Sequence, residues 1–354
     1  MTVYVDHTHL GRHVTGLERI TLDLFSPESF APLDVIPVTA HGTARMMATQ
    51  TLGLPLRLMQ PSSILLCPGF PPSPLLRPFA SRVIPYIHDV FLLTRRDDLN
   101  QRAKLYMAEP FRLVVRTYPR FLVNSLDTKR KLTRHCRSDA EIVLYRPPVR
   151  NVFNLQLDER VKRATKASPL RLVALGTVEP RKNFVAAAKI LSAMRQNGFE
   201  NATLEIVGRR GWGDHWNSLE TCPGVILHGY QPTERVNQIL QDADAFICTS
   251  HEEGLGLPLL EAQYAGLPII APDDAIFHEV LDQSGIFIDP ADPLSSASRI
   301  AKALSIPDWR TQYAIHGARN LMRWNALAAS DRNAVIQLVA RIAHQRIRLT
   351  PANV

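Results

Sequence analysis

Residues 245–261, AFICTSHEEGLGLPLLE, combine an apolar run, a glycine-containing loop and the start of a helix. The run Ala245–Cys248 predicts a short, buried parallel strand. Gly254 and Gly256 leave the loop backbone bare, and Pro258 suits the first turn of a helix because its missing N–H needs no partner there. Strand, loop and helix in this order present unpaired N–H groups and a positive dipole end to an anion. The stretch therefore predicts a phosphate site in a parallel α/β fold.

Two carboxylates frame this loop. Glu253 lies within it, and Glu261 follows about one turn into the predicted helix. Carboxylates accept hydrogen bonds, so beside a phosphate they suit sugar hydroxyls. The ligand that fits both features is a phosphorylated sugar.

Length and composition indicate a two-domain globular protein. The chain has 354 residues, of which 45% are hydrophobic and 21% charged, which excludes a disordered chain. It begins directly with a strand-like run, and no segment approaches the roughly 20 apolar residues of a membrane helix. Its four cysteines are scattered without a CxxC spacing. We therefore expect free thiols and a cytoplasmic location.

The positive charge is concentrated in one window. Residues 81–150 hold 15 Lys and Arg against 7 Asp and Glu, a net of 15 − 7 = +8, which equals the formal charge of the whole chain. Such a window could face an anionic membrane surface, a phosphorylated lipid or nucleic acid, or it could be a solvated helical face. Its aromatic residues occupy apolar positions typical of a core, which argues against nucleic acid.

Apolar runs alternate with helical patterns along the chain, which predicts parallel sheets wrapped by helices. We expect an N-terminal domain over 1–150, a linker over 151–168 and a C-terminal domain over 169–326. A last helix is predicted from about residue 327. Strands are predicted at 3–5, 34–38, 62–67, 83–87, 120–123, 141–144, 172–175, 203–207, 225–227, 245–248 and 268–271.

Three groups of polar residues follow predicted strands. His88 and Asp89 lie at a strand end, where open α/β sheets gather ligands. Arg181 and Lys182 lie between a strand and a helix, where a guanidinium fork and a point charge suit a diphosphate. His7, His9 and His13 lack the spacing of a known metal-ligand set, so we read them as polar loop residues facing a cleft.

Asp242 and Asp244 match the DxD pattern that binds Mg²⁺ or Mn²⁺ with sugar nucleotides in other enzymes. They precede a buried strand instead of following one, so we interpret them as polar residues at a helix end. We predict no metal site.

Motifs of three kinds make the chain similar to the retaining glycosyltransferases of family 4. Glu253 and Glu261 match the family's E-x7-E motif, and residues 176–183, GTVEPRKN, match its phosphate-binding segment. Thr15–Arg19 and His88-Asp89 match its N-terminal glycine loop and the histidine of its catalytic cleft. The match is dense over about 171–290 and thin over 1–149. It implies the α/β GT-B fold, with two Rossmann-like domains facing a central cleft and the helix of 327–354 crossing back to the N-terminal domain.

The resemblance also implies roles for individual residues. Arg181 and Lys182 would bind the donor diphosphate, Glu261 the ribose hydroxyls, and Glu253 the transferred sugar. His88 would hydrogen-bond that sugar near the reacting carbon, so His88, Glu253, Arg181 and Lys182 are the predicted catalytic residues. The remaining predicted contacts of the nucleotide sugar are Gly16, Gly176, Gly208, Arg209, Tyr230, Gly254, Leu255, Gly256 and Leu257.

The resemblance implies a metal-independent, retaining hexosyltransferase of polysaccharide biosynthesis that needs no cofactor. The expected donor is GDP-mannose, and the expected acceptor is a glycan or a polyprenyl-diphosphate-linked sugar. The predicted place is the cytoplasm, with peripheral contact at the inner face of an anionic membrane. The alternatives are a sugar-nucleotide epimerase of the same architecture, which would need a further acid/base set, and a non-catalytic sugar-nucleotide-binding protein.

Overall fold

The computed structural model describes residues 2–11, 16–94, 104–157 and 169–347. The chain divides into two compact units. The first comprises Met1–Pro148 with Ala326–Val354, and the second comprises Val149–Asn325. None of the helices in the described ranges is long and apolar enough to cross a membrane.

The described part of the first unit is built on six parallel strands in the order β2-β1-β3-β4-β5-β6. Parallel strands are covered on both faces, which explains why β3 and β4 are buried at every residue and form continuous apolar runs in the sequence. The strands are β1 Thr2–Asp6, β2 Val35–Val38, β3 Ser63–Cys67, β4 Val83–Ile87, β5 Arg120–Val123 and β6 Glu141–Leu144.

The connections of the first unit are short helices. Leu126–Thr133 begins after Ser125, whose hydroxyl accepts a hydrogen bond from the Thr128 N–H at 3.1 Å and caps the helix. The α-helices are Gly16–Leu24, Pro27–Phe30, Thr43–Ala48, Leu54–Arg57, Phe91–Thr94, Glu109–Thr117 and Leu126–Thr133. Pro74–Arg82 is a 3₁₀-helix, and Thr49–Gly53 and Lys104–Ala108 are π-helical turns.

The second unit has the Rossmann strand order. Its described strands pair as β12-β11-β10-β7-β8-β9, so β7 and β10 are neighbours at the point where the order of strands reverses. β12 was not among the predicted strands. The strands are β7 Arg171–Leu175, β8 Thr203–Val207, β9 Val225–Gly229, β10 Ala245–Ile247, β11 Ile269–Pro272 and β12 Gly285–Ile288.

Helices of the second unit pack apolar side chains against its sheet. Ile190, Leu191 and Met194 of one helix are fully buried there. The α-helices are Phe184–Gln196, His215–Glu220, Thr233–Asp242, Leu257–Ala262, Ala275–Leu281 and Pro293–Leu304, and the 3₁₀-helices are Pro180–Lys182, Gln263–Ala265 and Asp282–Ser284.

One long helix, Trp309–Ile347, ends the described chain. The predicted start near residue 327 is wrong, because the helix begins at Trp309. Gly317 favours an interruption in the sequence, but in the fold a Cβ at this position would lie 3.3 Å from the Gln263 Cβ. A glycine therefore lets the helix pack closely at that point.

The part of this helix after residue 325 packs within the first unit. Asp331 accepts hydrogen bonds from Arg146, from Nη1 at 2.8 Å and from the backbone N–H at 3.2 Å. Arg332 donates to the Ser29 carbonyl at 2.6 Å, and Arg341 pairs with Glu141. Residues 348–354 of the predicted helix lie outside the described ranges.

The beginning of the predicted linker is a packed segment of the second unit. Leu155 is buried, and the Asn237 side chain donates to the Phe153 carbonyl at 2.5 Å. Gln241 donates to the Gln156 carbonyl at 3.1 Å. The linker interpretation therefore does not hold for 151–157, and residues 158–168 lie outside the described part of the chain.

Candidate active site

The loop that follows β10 is hydrogen-bonded to the segment that follows β7. The Thr249 hydroxyl donates to the Asn183 carbonyl at 2.8 Å, and the His251 N–H donates to the Arg181 carbonyl at 2.9 Å. Asn183 adopts a left-handed conformation with φ of 51°, which ends the 3₁₀-turn and starts the next helix. The two motifs therefore meet at the reversal point of the sheet, where α/β sheets bind ligands.

Glu253 joins the two motifs electrostatically. Its Oε1 lies 2.5 Å from Lys182 Nζ, and its Oε2 lies 3.2 Å from Arg181 Nη1. Ser250 donates to the same carboxylate at 2.7 Å. Burial alone would raise the pKa of Glu253, but Lys182 and Arg181 outweigh burial and hold it below the usual value. Glu253 is therefore a buried carboxylate anion.

Arg181 has a second carboxylate partner that sequence reasoning left without a role. Glu179 lies 2.8 Å from Arg181 Nη2 and is itself buried. Two carboxylates thus face two cations, and the guanidinium plane is held in place on both sides. The signal in the sequence is the position of Glu179 two residues before Arg181 in the same turn.

The helix after the glycine loop begins at Leu257, with Pro258 in its first turn. Gly256 has a φ of 79°, a conformation that strains any other residue. Leu255 and Glu261 are buried, Glu261 with an exposed fraction of 3%. A carboxylate this deeply buried needs hydrogen-bond donors around it, which is consistent with a binding residue and equally with a structural one.

Three glycines lie at or just after the ends of β7, β8 and β9. The Gly176 N–H donates to the Val207 carbonyl, and the Gly208 N–H donates to the Gly229 carbonyl, both at 2.9 Å. A Cβ on Gly208 would lie 1.8 Å from the Gly176 carbonyl oxygen. A Cβ on Gly176 would lie 3.2 Å from Lys182 Cε. The backbone is therefore closely packed beside Lys182.

The two other predicted nucleotide contacts also come together. The Arg209 guanidinium carbon lies 4.8 Å from the centre of the Tyr230 ring, a cation–π contact. The ring keeps an exposed fraction of 68%. An aromatic face that is open to solvent beside a guanidinium suits a planar aromatic group such as a nucleobase.

The first unit holds the other two predicted residues. The half-buried His88 has Nε2 2.7 Å from the Pro68 carbonyl oxygen, which can only accept, so Nε2 carries the proton. Burial lowers the pKa of His88, so its ring is neutral and Nδ1 is an acceptor. Its predicted contact with the transferred sugar stays a prediction. Gly16 begins the helix Gly16–Leu24 with open space where a Cβ would lie, and Thr15 lies outside the described residues.

A buried polar cluster follows β1, at the reversal point of the first sheet. Asp6 accepts from the Thr8 hydroxyl at 2.6 Å, and His9 Nε2 lies 3.1 Å from the Thr21 hydroxyl. Among the described residues, His7 Nε2 and His9 Nδ1 find no hydrogen-bond partner although both atoms are buried. Sequence reasoning named the histidines as cleft residues but missed Asp6 and Thr21.

The stability of the first unit is expected to fall by about 3 kcal/mol between pH 6.5 and pH 4 because of His9. Burial, with the charges of His7 and His88, lowers the pKa of His9 to about 4 from its ordinary value of 6.5. Between these values the unfolded chain binds a proton that the folded chain excludes, so acid favours unfolding. Urea denaturation followed by circular dichroism across this pH range measures the loss.

His9→Gln should flatten that pH dependence, whereas the exposed His41→Gln should leave it as in the wild type. Equal slopes in the wild type and His9→Gln would show that His9 does not set the acid stability.

Asp244, the second aspartate of the DxD pattern, makes structural contacts with two arginines. Its Oδ1 lies 2.7 Å from Arg310 Nη2, and its Oδ2 accepts from the Arg171 N–H at 3.0 Å. Both oxygens therefore fix the start of β7 to the long helix.

Residues 156–319 match the model of the family described as "Glycosyl transferases group 1". A curated relative, "O-antigen chain mannosyltransferase B" of Escherichia coli, is 32% identical over 141 residues. That match covers 38% of this chain and spans 37% of the relative's length.

Solved structures share the fold of nearly the whole chain. The sucrose-phosphate synthase of Thermosynechococcus elongatus superposes with a TM-score of 0.73 at 14% identity, covering 96% of this chain and 99% of that one. The Anabaena protein HepE, crystallised with UDP and glucose, has a TM-score of 0.68 at 13% identity, covering 96% and 100%. At these identities the likeness concerns the fold alone.

Proposed function

We propose, from the premise that residues 156–319 belong to the glycosyltransferase group 1 family, that this chain transfers a hexose from a nucleotide sugar to a glycan or lipid-linked acceptor. The chain has the GT-B fold of that class of enzymes. The observation that carries the proposal is the Arg181–Glu253–Lys182 cluster beside the glycine loop, at the reversal point of the second sheet.

This cluster suits the departure of a nucleoside diphosphate. When the bond from the sugar to the diphosphate breaks, negative charge develops on phosphate oxygens. Arg181 and Lys182 supply fixed positive charge, and their carboxylate partners Glu179 and Glu253 hold them in position before the donor binds. No proton transfer is needed for this stabilisation.

The stereochemical proposal is retention through attack on the face that the diphosphate leaves, with the departing phosphate as base. The cluster lacks the arrangement of two carboxylates flanking a scissile bond that a covalent double displacement uses, because both of its carboxylates pair with cations. We also propose that no metal is required, since Arg181 and Lys182 provide the positive charge on the diphosphate.

The proposed donor is GDP-mannose. The Escherichia coli relative is named a mannosyltransferase, which favours mannose, while the HepE crystals contained UDP and glucose. The exposed Tyr230 ring under Arg209 is proposed to receive the base, and Glu261 the ribose hydroxyls.

The proposed acceptor is a surface-polysaccharide glycan or a polyprenyl-diphosphate-linked sugar, reached in the cytoplasm at the inner face of a membrane. The relative's name concerns O-antigen chains, which supports a glycan acceptor. The positive window of residues 81–150 would favour contact with an anionic surface.

The donor is expected to stabilise the second unit measurably. At a concentration of 100 times its dissociation constant, the nucleotide sugar should add about 2.7 kcal/mol to the free energy of unfolding. A thermal-shift panel of UDP-, GDP-, ADP- and TDP-sugars, each read against its free nucleotide, identifies the base and the sugar. GDP-mannose should give the largest shift.

A panel in which no nucleotide sugar raises the melting temperature would contradict the donor site. A larger shift with another nucleotide sugar would leave the site in place and replace the donor. Binding without release of nucleoside diphosphate in the presence of any acceptor would favour a non-catalytic protein.

A further inference from the structure

Arginines of the first unit between residues 112 and 146 differ in their partners. Most of its basic side chains between residues 120 and 146 pair with a carboxylate: Arg120 with Glu141, Arg130 and Lys131 with Asp127, Arg137 with Asp139, and Arg146 with Asp331. Arg112, Arg116 and Arg134 have no such partner within the described ranges. These three arginines therefore contribute unneutralised positive charge to the described part of the window.

These three side chains line one cavity of about 370 Å³. Arg112 and Arg116 are four residues apart on the helix Glu109–Thr117, so they share a face, and Arg134 comes from the end of the helix Leu126–Thr133. His135 also lines the cavity, and Glu109 is its acidic residue. Among the described residues that line it, three guanidinium groups against one carboxylate leave a surplus of positive charge in a concave site, which favours an anion.

An apolar cavity of about 250 Å³ lies beside the basic one. Leu92 lines both cavities, and the helix Glu109–Thr117 contributes residues to both. Phe70, Pro71, Phe91, Met107 and Phe111 give the second cavity its apolar lining, and His88 lies at its wall.

We propose that these adjoining cavities bind the anionic and apolar parts of one acceptor, an isoprenoid diphosphate that carries the acceptor sugar. The three arginines bind the diphosphate by charge-assisted hydrogen bonds, and the apolar cavity takes a hydrocarbon group next to it. This inference rests on the proposed function, because it names the acceptor of the same transfer.

The shape of the site favours a single amphiphilic diphosphate molecule over a bilayer surface. A bilayer is contacted by side chains on a protruding face, whereas these three arginines line a cavity. A protein that binds a bilayer inserts protruding apolar side chains into it. Here the apolar side chains beside the arginines line a cavity. Charge and shape together match an amphiphile with a compact, doubly charged head.

Farnesyl diphosphate is a short probe for this site, and calorimetry on the full chain measures its affinity below its micelle concentration. Farnesol and inorganic diphosphate should each bind at least ~10-fold more weakly, since each lacks one half of the ligand. The variant Arg112→Ala/Arg116→Ala/Arg134→Ala should lose at least ~30-fold in affinity, because each charge-assisted contact contributes on the order of tenfold. Arg130→Ala, which removes an exposed arginine of the neighbouring helix, should bind as the wild type does.

Two additional measurements distinguish this site from the donor site and from a membrane surface. Lys182→Ala should keep the affinity for farnesyl diphosphate, and a loss there would assign the probe to the donor site instead. Vesicles of phosphatidylglycerol that bind through the three arginines, with no binding of farnesyl diphosphate, would replace the diphosphate with a membrane surface and overturn the proposal.

Wild-type affinity in the triple variant would also overturn it. The thermal shift caused by the donor distinguishes a failure of this inference from a failure of the proposed function. If the triple variant and the wild type show the same donor shift but neither binds farnesyl diphosphate, only this inference fails. If no donor shift occurs in the wild type, the proposed function fails.

Discussion

Lys182→Ala is expected to lower the turnover number at least ~10²-fold, the scale of removing one preorganised stabiliser of a developing anion. Lys182 Nζ lies 2.5 Å from Glu253 in a partly buried cluster, so its charge is held in place before the donor arrives. The release of nucleoside diphosphate, with the donor found by thermal shift, measures the change. The affinity for the donor should fall less than the turnover number, because the charge on the phosphate grows as the bond breaks.

Lys189→Ala is the matched control, because Lys189 is exposed on the helix that directly follows Lys182. It should turn over as the wild type does. Glu253→Gln should also lose at least ~10²-fold, since it removes the carboxylate that pairs with both cations and changes the proposed sugar contact. Turnover near the wild-type value in both Lys182→Ala and Glu253→Gln would refute the assignment of the site.

Gly208→Ala is expected to destabilise the second unit by about 3 kcal/mol or more, the upper range for overpacking a closely packed site. The new Cβ would lie 1.8 Å from the Gly176 carbonyl oxygen, and this obstacle is backbone, which cannot rotate away as a side chain can. Separation of the two strand ends would also shift Gly176, which packs against Lys182, so donor binding should weaken in the fraction that stays folded.

Tryptophan fluorescence in urea isolates this effect. All four tryptophans, at 212, 216, 309 and 324, belong to the second unit, so their fluorescence reports on that unit alone. Gly16→Ala is the control for the added methyl group, since no atom in the described part of the chain lies within 4 Å of its Cβ position and Gly16 is in the first unit. An unfolding midpoint in Gly208→Ala equal to that of the wild type would contradict the predicted close approach.

The strands were predictable because parallel strands are buried on both faces and read as apolar runs. Val83–Ile87, Arg120–Val123 and Glu141–Leu144 begin and end where the sequence predicts. Gly285–Ile288 was missed because four residues after a 3₁₀-turn give too little pattern, and its pairing with β11 makes it a strand. The start of the last helix was missed because Gly317 weakens the local signal, and only its packing against Gln263 shows why a glycine is present.

The sequence by itself determined the chemical groups of the donor site. Glu253, Arg181 and Lys182 each stand in a turn between a strand and a helix, and local backbone rules place such turns at one edge of a parallel sheet. Tertiary structure alone decided which charges meet. Glu253 pairs with cations 71 and 72 residues away, whereas Glu179, the second partner of Arg181, is a neighbour in the same turn.

Tertiary structure likewise decided which arginines of the positive window come together. Arg130 has Asp127 three residues earlier on the same helix, a local pair, whereas Arg134 lines a cavity with Arg112 and Arg116, which come from another helix. Patterns in the sequence reveal contacts between residues that are close neighbours in the chain. Charge pairing and cavities depend on side chains that only the fold brings together, and they carry the specificity proposed for this protein.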